Sequence, residues 1–204
     1  MAMLINDEVL EKEIQEQRKV LGIDRYDEVW DGVYIMAASP NHEHQKLVGW
    51  LSHVLYGIVA ARELGDVLPG INVSDRVEDW VHNYRIPDVA VLLKDSKAEN
   101  HGTFWYGGPD FAVGIVSPND RSREKLDFYA KVGTRELLII DRDPWQLELY
   151  RLRGAKLDSV CTVSLASENK IQSEVVALEL GFIREGEDTR IQATDTESDK
   201  EWTL

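Results

Sequence analysis

Asp88 is the strongest candidate for chemistry in this sequence. It follows Pro87 and precedes the run Val89–Leu93, whose apolar and β-branched residues are typical of a buried strand. Aspartate is disfavoured inside strands, and its charge is costly to bury without a partner. A divalent metal would satisfy this carboxylate, and so would nearby backbone amides. The residues alone leave both interpretations open.

Two further charged residues stand beside apolar neighbours. Glu28 precedes Val29 and Trp30, and Lys125 opens a segment with helical spacing. Either residue could join Asp88 in a site. The alternatives are a surface glutamate in a hairpin and a helix-face lysine paired with a carboxylate one turn away.

The histidines and exposed aromatic residues give weaker signals. His42 and His44 are close in sequence, but side chains two residues apart on a helix do not face each other, and no third nitrogen or sulfur ligand follows. We therefore expect capping or surface roles for both. Four aromatic residues could stack on nucleic-acid bases, although core or dimer-interface packing is the simpler expectation. These are Trp80, Trp105, Tyr106 and Trp145.

The elements that would position these residues can be read from the apolar spacing. Asn6 and Asp7 can cap a helix through about Leu21, and Asp31-Gly32 predicts the turn of a hairpin over Glu28–Met36. Apolar residues at spacings of three and four predict a long amphipathic helix over Asn41–Glu63, which Gly65 would end.

The remainder of the chain predicts a sheet with one more helix. We expect strands at about 67–73, 86–93, 111–116, 136–141 and 146–151. A helix is expected over Asn119–Val132, ending at Gly133. Within residues 175–204 we expect two short strands, at 175–183 and 190–193, and a frayed acidic end. The fold class is therefore α/β (α+β), a mixed β-sheet flanked by helices.

Length and composition set further limits. The 204 residues suit a single domain over 1–204, and no apolar run is long enough to span a bilayer. An acidic N-terminus and a lone Cys161, expected to be an unreactive core or surface residue, favour the cytoplasm. The net charge of −14 opposes nucleic-acid binding. Basic residues crowd together only at Arg121, Arg123, Lys125 and Lys131, which form either a local basic cleft or a solvated helix face.

Six short motifs in order give the chain a family resemblance between about Tyr26 and Tyr150. It resembles the Uma-type restriction-endonuclease domain, a member of the PD-(D/E)XK nuclease superfamily. The motifs are EVWDG at 28–32, HQ at 44–45, RIPDV at 85–89, IVSP at 115–118, KLDFYA at 125–130 and GTRE at 133–136.

The resemblance implies a restriction-endonuclease-like fold and a catalytic set of Glu28, Asp88 and Lys125, with Glu28 and Asp88 as metal ligands. It also implies a glutamate on the next strand, where this chain has Gly114. His44 matches a family position near the site, so the resemblance implies that it could contact substrate or phosphate without being catalytic. Mg²⁺ takes oxygen ligands, requires only one or two carboxylates, and activates a bound water for attack on phosphorus. Lys125 would stabilise the developing negative charge or orient the attacking water. We expect Mg²⁺ to bind weakly or not at all, unless Asp120 or Glu124 replaces the missing carboxylate.

Two functions follow from the resemblance and from the glycine at position 114, where the family has a glutamate. The first is a Mg²⁺-dependent DNA endonuclease that is weakened or inactive because of Gly114. The second is a non-catalytic binding or oligomerisation module that retains the nuclease fold. The resemblance also implies a homodimer, with DNA as a partner that the acidic charge opposes and with no membrane association.

Overall fold

The computed structural model describes residues 8–117, 121–185 and 188–204. Its α-helices are α1 (Glu8–Leu21), α2 (His42–Ile58) and α3 (Leu126–Lys131). Three 3₁₀ turns lie at Ala60–Arg62, Trp80–His82 and Ser122–Lys125. None of the helices in the described ranges is both long and apolar enough to cross a membrane.

Sixteen strands of the described ranges form three sheets. In chain order they are β1 (Glu28–Trp30), β2 (Val33–Ile35), β3 (Gly65–Pro69), β4 (Val73–Ser74), β5 (Tyr84–Arg85), β6 (Val89–Leu93), β7 (Glu99–Asn100), β8 (Trp105–Tyr106), β9 (Phe111–Ile115), β10 (Glu136–Arg142), β11 (Trp145–Arg153), β12 (Lys156–Ser164), β13 (Ile171–Gln172), β14 (Leu178–Glu185), β15 (Asp188–Asp195) and β16 (Glu201–Thr203). The mixed sheets flanked by helices confirm the predicted fold class.

The central sheet has the order β12-β11-β10-β9-β6-β3 and contains one parallel pair, β9 with β10. Its residues alternate between two apolar clusters, as the period of a strand requires. Val113 and Ile115 of β9 belong to the cluster that includes α2 and the C-terminal sheet, whereas Ala112 belongs to the cluster that includes α3. By this alternation, Gly114 shares the α3 face with Ala112.

The second sheet has the order β2-β1-β5-β4-β8-β7 and consists of short strands. Its β1–β2 hairpin confirms the predicted Asp31-Gly32 turn, in which both residues have positive φ, 47° and 85°. The single strand predicted over residues 67–73 is wrong. It is divided into β3 and β4, which belong to different sheets, because the chain bends at Gly70, whose φ is 64°.

Helix α2 confirms the clearest pattern of the sequence but ends earlier than predicted. The side chain of Asn41 caps it by accepting a hydrogen bond from the His44 N–H at 2.9 Å, and its buried face presents Leu47, Leu51, Val54, Leu55 and Ile58. Gly65 does not end this helix. It begins β3, where an added Cβ would lie 2.2 Å from the Leu92 carbonyl oxygen.

The other helices differ from prediction in detail. Helix α1 is confirmed, while its proposed caps Asn6 and Asp7 lie outside the described residues. The helix predicted over 119–132 is instead a 3₁₀ turn followed by α3, and residues 118–120 are not described. Gly133 ends α3 with a φ of 84°, as predicted.

The C-terminal prediction was correct for the two strands, which correspond to β14 and β15, and wrong for the frayed end. Strands β13 to β16 form a four-stranded antiparallel sheet, so residues 201–203 are paired with β15 rather than frayed. This sheet packs on α2, where Gly57 leaves room for Trp202. A Cβ on Gly57 would lie 3.2 Å from the indole ring.

Strand β12 was not predicted, because five of its nine residues are polar and most of its side chains are exposed.

Candidate active site

Asp88 lies between β5 and β6 and is bonded to β9. Its N–H donates to the Val113 carbonyl at 2.9 Å, and its Oδ2 accepts a hydrogen bond from the Ile115 N–H at 2.6 Å. These two bonds fix both the backbone and the carboxylate at the end of the central sheet. A backbone amide therefore satisfies one of the two carboxylate oxygens of Asp88, as one of the two interpretations of the sequence predicted.

The other oxygen of Asp88 contacts His44. His44 Nε2 lies 2.9 Å from Asp88 Oδ1, and His44 Nδ1 lies 3.4 Å from the Ser117 hydroxyl. Because an ionised carboxylate can only accept, the contact to Asp88 requires a hydrogen on Nε2. The first turn of α2, fixed by its Asn41 cap, thus delivers a buried histidine to the site. The surface or capping role expected for His44 was wrong, whereas the position near the site that the resemblance implied is the one observed.

Glu28 is buried and surrounded by donors. Its Oε1 accepts from the Ile86 N–H at 2.7 Å and from Lys125 Nζ at 2.8 Å, and its Oε2 accepts from the Trp30 indole N–H at 2.7 Å. The surface-hairpin alternative for Glu28 is wrong, since only 4% of the residue is exposed. Glu28 therefore joins Lys125 to the segment that leads into Asp88.

A pocket of about 100 Å³ opens at this junction. Its lining includes Asp88, His44, Gly114, Ser122 and Lys125. Asp88 is the carboxylate among the described lining residues, and Lys125 is the cation. The structure therefore brings together two of the three predicted catalytic side chains at the pocket, with Glu28 bonded to Lys125.

Gly114 borders the pocket with open space. A Cβ built on it would lie 3.6 Å from Ser122 Oγ, an ordinary contact distance. Its φ lies outside the left-handed region, so the backbone would accept a side chain. Glu124 does not fill this space, because its carboxylate is exposed and bonded to Arg121. Asp120, the other candidate, lies outside the described residues.

The donor set does not complete a magnesium site. In residues 8–117, 121–185 and 188–204, no three Asp, Glu, His or Cys side chains gather where they could hold a metal ion. The oxygens of Asp88 and Glu28 accept five hydrogen bonds or ion pairs from protein groups, and the Lys125 ammonium adjoins Glu28. A cation would have to compete with these donors, and Gly114 supplies no ligand.

The basic cluster of the sequence is dispersed by ion pairs. Arg121 pairs with Glu124, Arg123 with Glu148 and Asp141, Lys125 with Glu28, and Lys131 with Asp75. Carboxylates thus neutralise much of the positive charge of these four residues. The solvated-face interpretation therefore describes Arg121, Arg123 and Lys131 better than a basic cleft does. Lys125 is the exception, because it lines the pocket and pairs with Glu28 rather than with a carboxylate one turn away on its own helix.

The aromatic residues near the site mostly pack against protein groups. Trp30 lies between two guanidinium groups, with Arg85 Cζ 4.6 Å and Arg121 Cζ 4.4 Å from its ring centroid. Burial lowers the pKa of Arg85, an effect that the nearby Glu28 opposes. Trp80 stacks on Phe104 at 4.7 Å. This packing supports the structural role expected for Trp80.

The sequence matches the model of the family named Uma2, described as a putative restriction endonuclease, over residues 22–183. The chain belongs to the Uma2 family. The match extends beyond the predicted range of 26–150 into the C-terminal sheet. The family assignment and its restriction-endonuclease-like character, predicted from six short motifs, are thereby confirmed.

One solved structure similar to this Uma2 chain is a putative nuclease from Anabaena variabilis. The two are 16% identical, with a TM-score of 0.54, and the alignment covers 65% of this chain and 75% of the other. At this identity the likeness supports the nuclease-like fold alone. The search of curated proteins found no match.

Proposed function

We propose that the pocket around Asp88 is a DNA phosphodiesterase site whose hydrolytic activity is weakened or lost. The observation that carries this proposal is the donor set. The pocket is lined by one carboxylate among the described residues, and that carboxylate is engaged by His44 and the Ile115 N–H. Gly114 leaves vacant the position where the family resemblance places a glutamate.

The proposed roles follow from the contacts of each residue. We assign to Asp88 the role of ligand to a weakly bound Mg²⁺, which would in turn contact the substrate phosphate. Lys125 lines the pocket and stabilises negative charge on the phosphoryl oxygens, an electrostatic contribution that is strongest in a site preorganised by the protein. Glu28 holds the ammonium of Lys125 in place at 2.8 Å, and its role as a second metal ligand stays a prediction.

A metal titration tests the proposal. Isothermal titration of Mg²⁺ and Mn²⁺ into the native protein should show weak binding or none. Gly114→Glu should raise the affinity about tenfold or more, because even the partners that only orient metal ligands contribute about 10–100-fold. Gly114→Gln is the matched control, since it has nearly the same shape without the charge. Asp88→Ala should remove whatever binding is present.

Cleavage of supercoiled DNA by the same variants provides the second readout. Activity should rise in Gly114→Glu and disappear in Asp88→Ala. If all four proteins bind metal and cleave DNA equally, the pocket is not the nuclease site and the proposal fails.

A second candidate function is supported by the charge pairing of the basic cluster. A chain of net charge −14 whose clustered cations are bonded to carboxylates suits a binding or oligomerisation module better than a DNA-binding surface. This candidate predicts a homodimer that Asp88→Ala leaves intact. Light scattering on both proteins checks it, and a monomer at all concentrations would contradict it.

A further inference from the structure

The described lining of the pocket around Asp88 combines charged and apolar groups. Its polar and charged side chains include His44, Asp88 and Lys125. Much of the remaining lining is apolar or aromatic, namely Tyr26, Ala37, Ala38, Pro40, Ile86 and Pro87. A ligand that carries a phosphate beside a flat ring would match both parts of this lining, and a nucleotide is such a ligand.

The pocket is small, and its charged groups are recessed. Its volume of about 100 Å³ is below that of a cavity that encloses benzene, about 150 Å³, so it has room for a phosphate group but not for a base. The side chains of Asp88 and Lys125 are only 20% and 17% exposed. A strand must therefore bend to bring a phosphate to them, and duplex DNA, with a persistence length of about 50 nm, resists such a bend. Single-stranded DNA can bend at one nucleotide and reach them.

Tyr26 supplies an aromatic surface beside these recessed groups. It lines the pocket but is only half-buried, so part of its side chain is open to solvent. Its ring packs on Gly70, where an added Cβ would lie 3.2 Å from the Cε1 atom of the tyrosine. A base that stays outside the pocket, next to the bound phosphate, can stack on this ring. Such stacking tolerates any base, because every base has an aromatic face.

Arg25 adds a cation beside the ring of Tyr26. It is exposed, and its Cζ lies 5.5 Å from the ring centroid. The four residues of the basic cluster are paired with carboxylates, whereas no ion pair joins Arg25 to a carboxylate in residues 8–117, 121–185 and 188–204. A guanidinium group binds phosphate through parallel N–H donors. Arg25 can therefore contact a second phosphate of a strand whose base stacks on Tyr26.

We propose that the substrate of this pocket is single-stranded rather than duplex DNA. One phosphate enters the pocket beside Lys125, an adjacent base stacks on Tyr26, and a neighbouring phosphate binds Arg25. This inference rests on the proposed nuclease function and specifies its substrate class. Binding alone carries the preference, so the preference can be measured without hydrolysis.

Fluorescence anisotropy tests the preference with a labelled oligodeoxynucleotide of about 12 nucleotides, a length within the usual span of a single-strand site. The strand and its duplex with the complementary strand are compared in EDTA, so that no metal-dependent cleavage occurs. The native protein should bind the single strand at least about fivefold tighter than the duplex, the lower end expected for one base–aromatic stack. Equal affinity, tighter duplex binding or no single-strand binding would overturn the proposal.

Variants of Tyr26 identify the stacking surface. Tyr26→Ala should weaken single-strand binding about fivefold or more, whereas Tyr26→Phe, which keeps the ring, should bind like the native protein. Tyr106→Ala is the matched control, because Tyr106 is 38% exposed and does not line the pocket. Circular dichroism checks that all three fold. No loss in Tyr26→Ala, or an equal loss in Tyr106→Ala, would place the bases elsewhere and overturn the proposal.

Substitution of Arg25 tests the second phosphate contact. Arg25→Gln should make the slope of log affinity against log salt concentration shallower by about 0.7, the contribution of one phosphate contact on a single strand. Arg153→Gln removes another exposed arginine and should leave the slope unchanged. Equal slopes for Arg25→Gln and the native protein would overturn the assigned contact.

The single-strand inference can fail separately from the proposed nuclease function. Gly114→Glu is judged by metal binding and cleavage, and Tyr26→Ala by binding in EDTA. If Gly114→Glu raises cleavage while Tyr26→Ala leaves single-strand binding unchanged, the nuclease proposal stands and the single-strand inference fails. If Tyr26→Ala weakens single-strand binding while Gly114→Glu gains no cleavage, the pocket binds single strands without hydrolysing them.

Discussion

At the residue scale, Asp88 could be predicted from its sequence neighbours, whereas its contact with His44 could not. A carboxylate at the start of an apolar strand is locally unusual, so its sequence neighbours alone identify it. His44 lies 44 positions earlier on another element, and it contacts Asp88 only because the capped end of α2 lies beside the start of β6. Glu28 and Lys125 are likewise 97 positions apart. Such pairings depend on tertiary structure, which spacing within one element does not contain.

Asp75 shows a charged residue whose environment the sequence did not reveal. Its side chain is 5% exposed and accepts hydrogen bonds from Lys131, Arg76 and Asn83. Burial alone would raise the pKa of Asp75, but these donors outweigh it and lower the pKa to about 2. The ionised form is therefore favoured in the folded protein.

This pKa shift predicts a pH-dependent contribution to stability. Because the folded pKa is depressed, the contribution is present above the unfolded pKa of about 4 and is lost as the pH falls towards 2. Asp75→Asn should lower the free energy of unfolding by about 2 kcal/mol at pH 7, and by progressively less between pH 4 and pH 2. Urea unfolding across this range, with the exposed Asp66→Asn as control, checks it. A deficit that is constant with pH would contradict the assigned cause.

At the element scale, elements with a local sequence pattern were predicted, whereas features that depend on contacts with distant residues were not. The Asp31-Gly32 turn and the apolar face of α2 are local patterns, and both elements formed as predicted. Strand β12 is held by pairing with β11 along its whole length, although its sequence is largely polar. The role of Gly65 also depends on a neighbouring strand, because a Cβ at this position would overlap the carbonyl oxygen of Leu92.

A buried ion pair joins the central sheet to the segment that precedes β14. Glu136 is fully buried and accepts hydrogen bonds from Arg151 Nε at 2.7 Å, the Ser173 hydroxyl and the Glu174 N–H. Removing one partner of such a pair leaves an uncompensated charge in the interior. The contacts of Glu136 therefore predict a large effect of substituting Arg151.

Arg151→Met should lower the free energy of unfolding by about 3 kcal/mol, the lower end for a broken buried pair, because two other donors remain on Glu136. For a chain of this length the melting temperature should fall by about 6–12 °C. Calorimetry measures both quantities. Arg153→Met removes an exposed arginine of the same strand and should have little effect. Equal losses in the two variants would show that the pair contributes no particular stability.

At the scale of the whole molecule, the charge distribution limits how DNA could be held. The net charge of −14 predicted that DNA binding would be opposed, and the structure adds a reason, because the clustered cations are bonded to carboxylates. Each phosphate contact by a free cation contributes about −0.9 to the slope of log affinity against log salt concentration.

DNA binding by this chain should therefore have a shallow salt dependence. We expect a slope no steeper than about −2, corresponding to one or two phosphate contacts at Lys125 and its surroundings. Fluorescence anisotropy measures this slope at salt concentrations between about 50 and 200 mM, a range over which DNA affinity changes strongly. A slope of about −6 would reveal an extended basic interface and contradict this view of the charge distribution.

The packing of the C-terminal sheet on α2 affects how the chain is made. The apolar face of α2 is complete by residue 58, but part of its cover, including Trp202 against Gly57, comes from the last residues of the chain. At about 5–20 residues per second, a ribosome needs roughly 7–30 s to synthesise the intervening segment. During that interval part of the apolar face of α2 is exposed to solvent, so α2 is the segment where a chaperone would bind the growing chain.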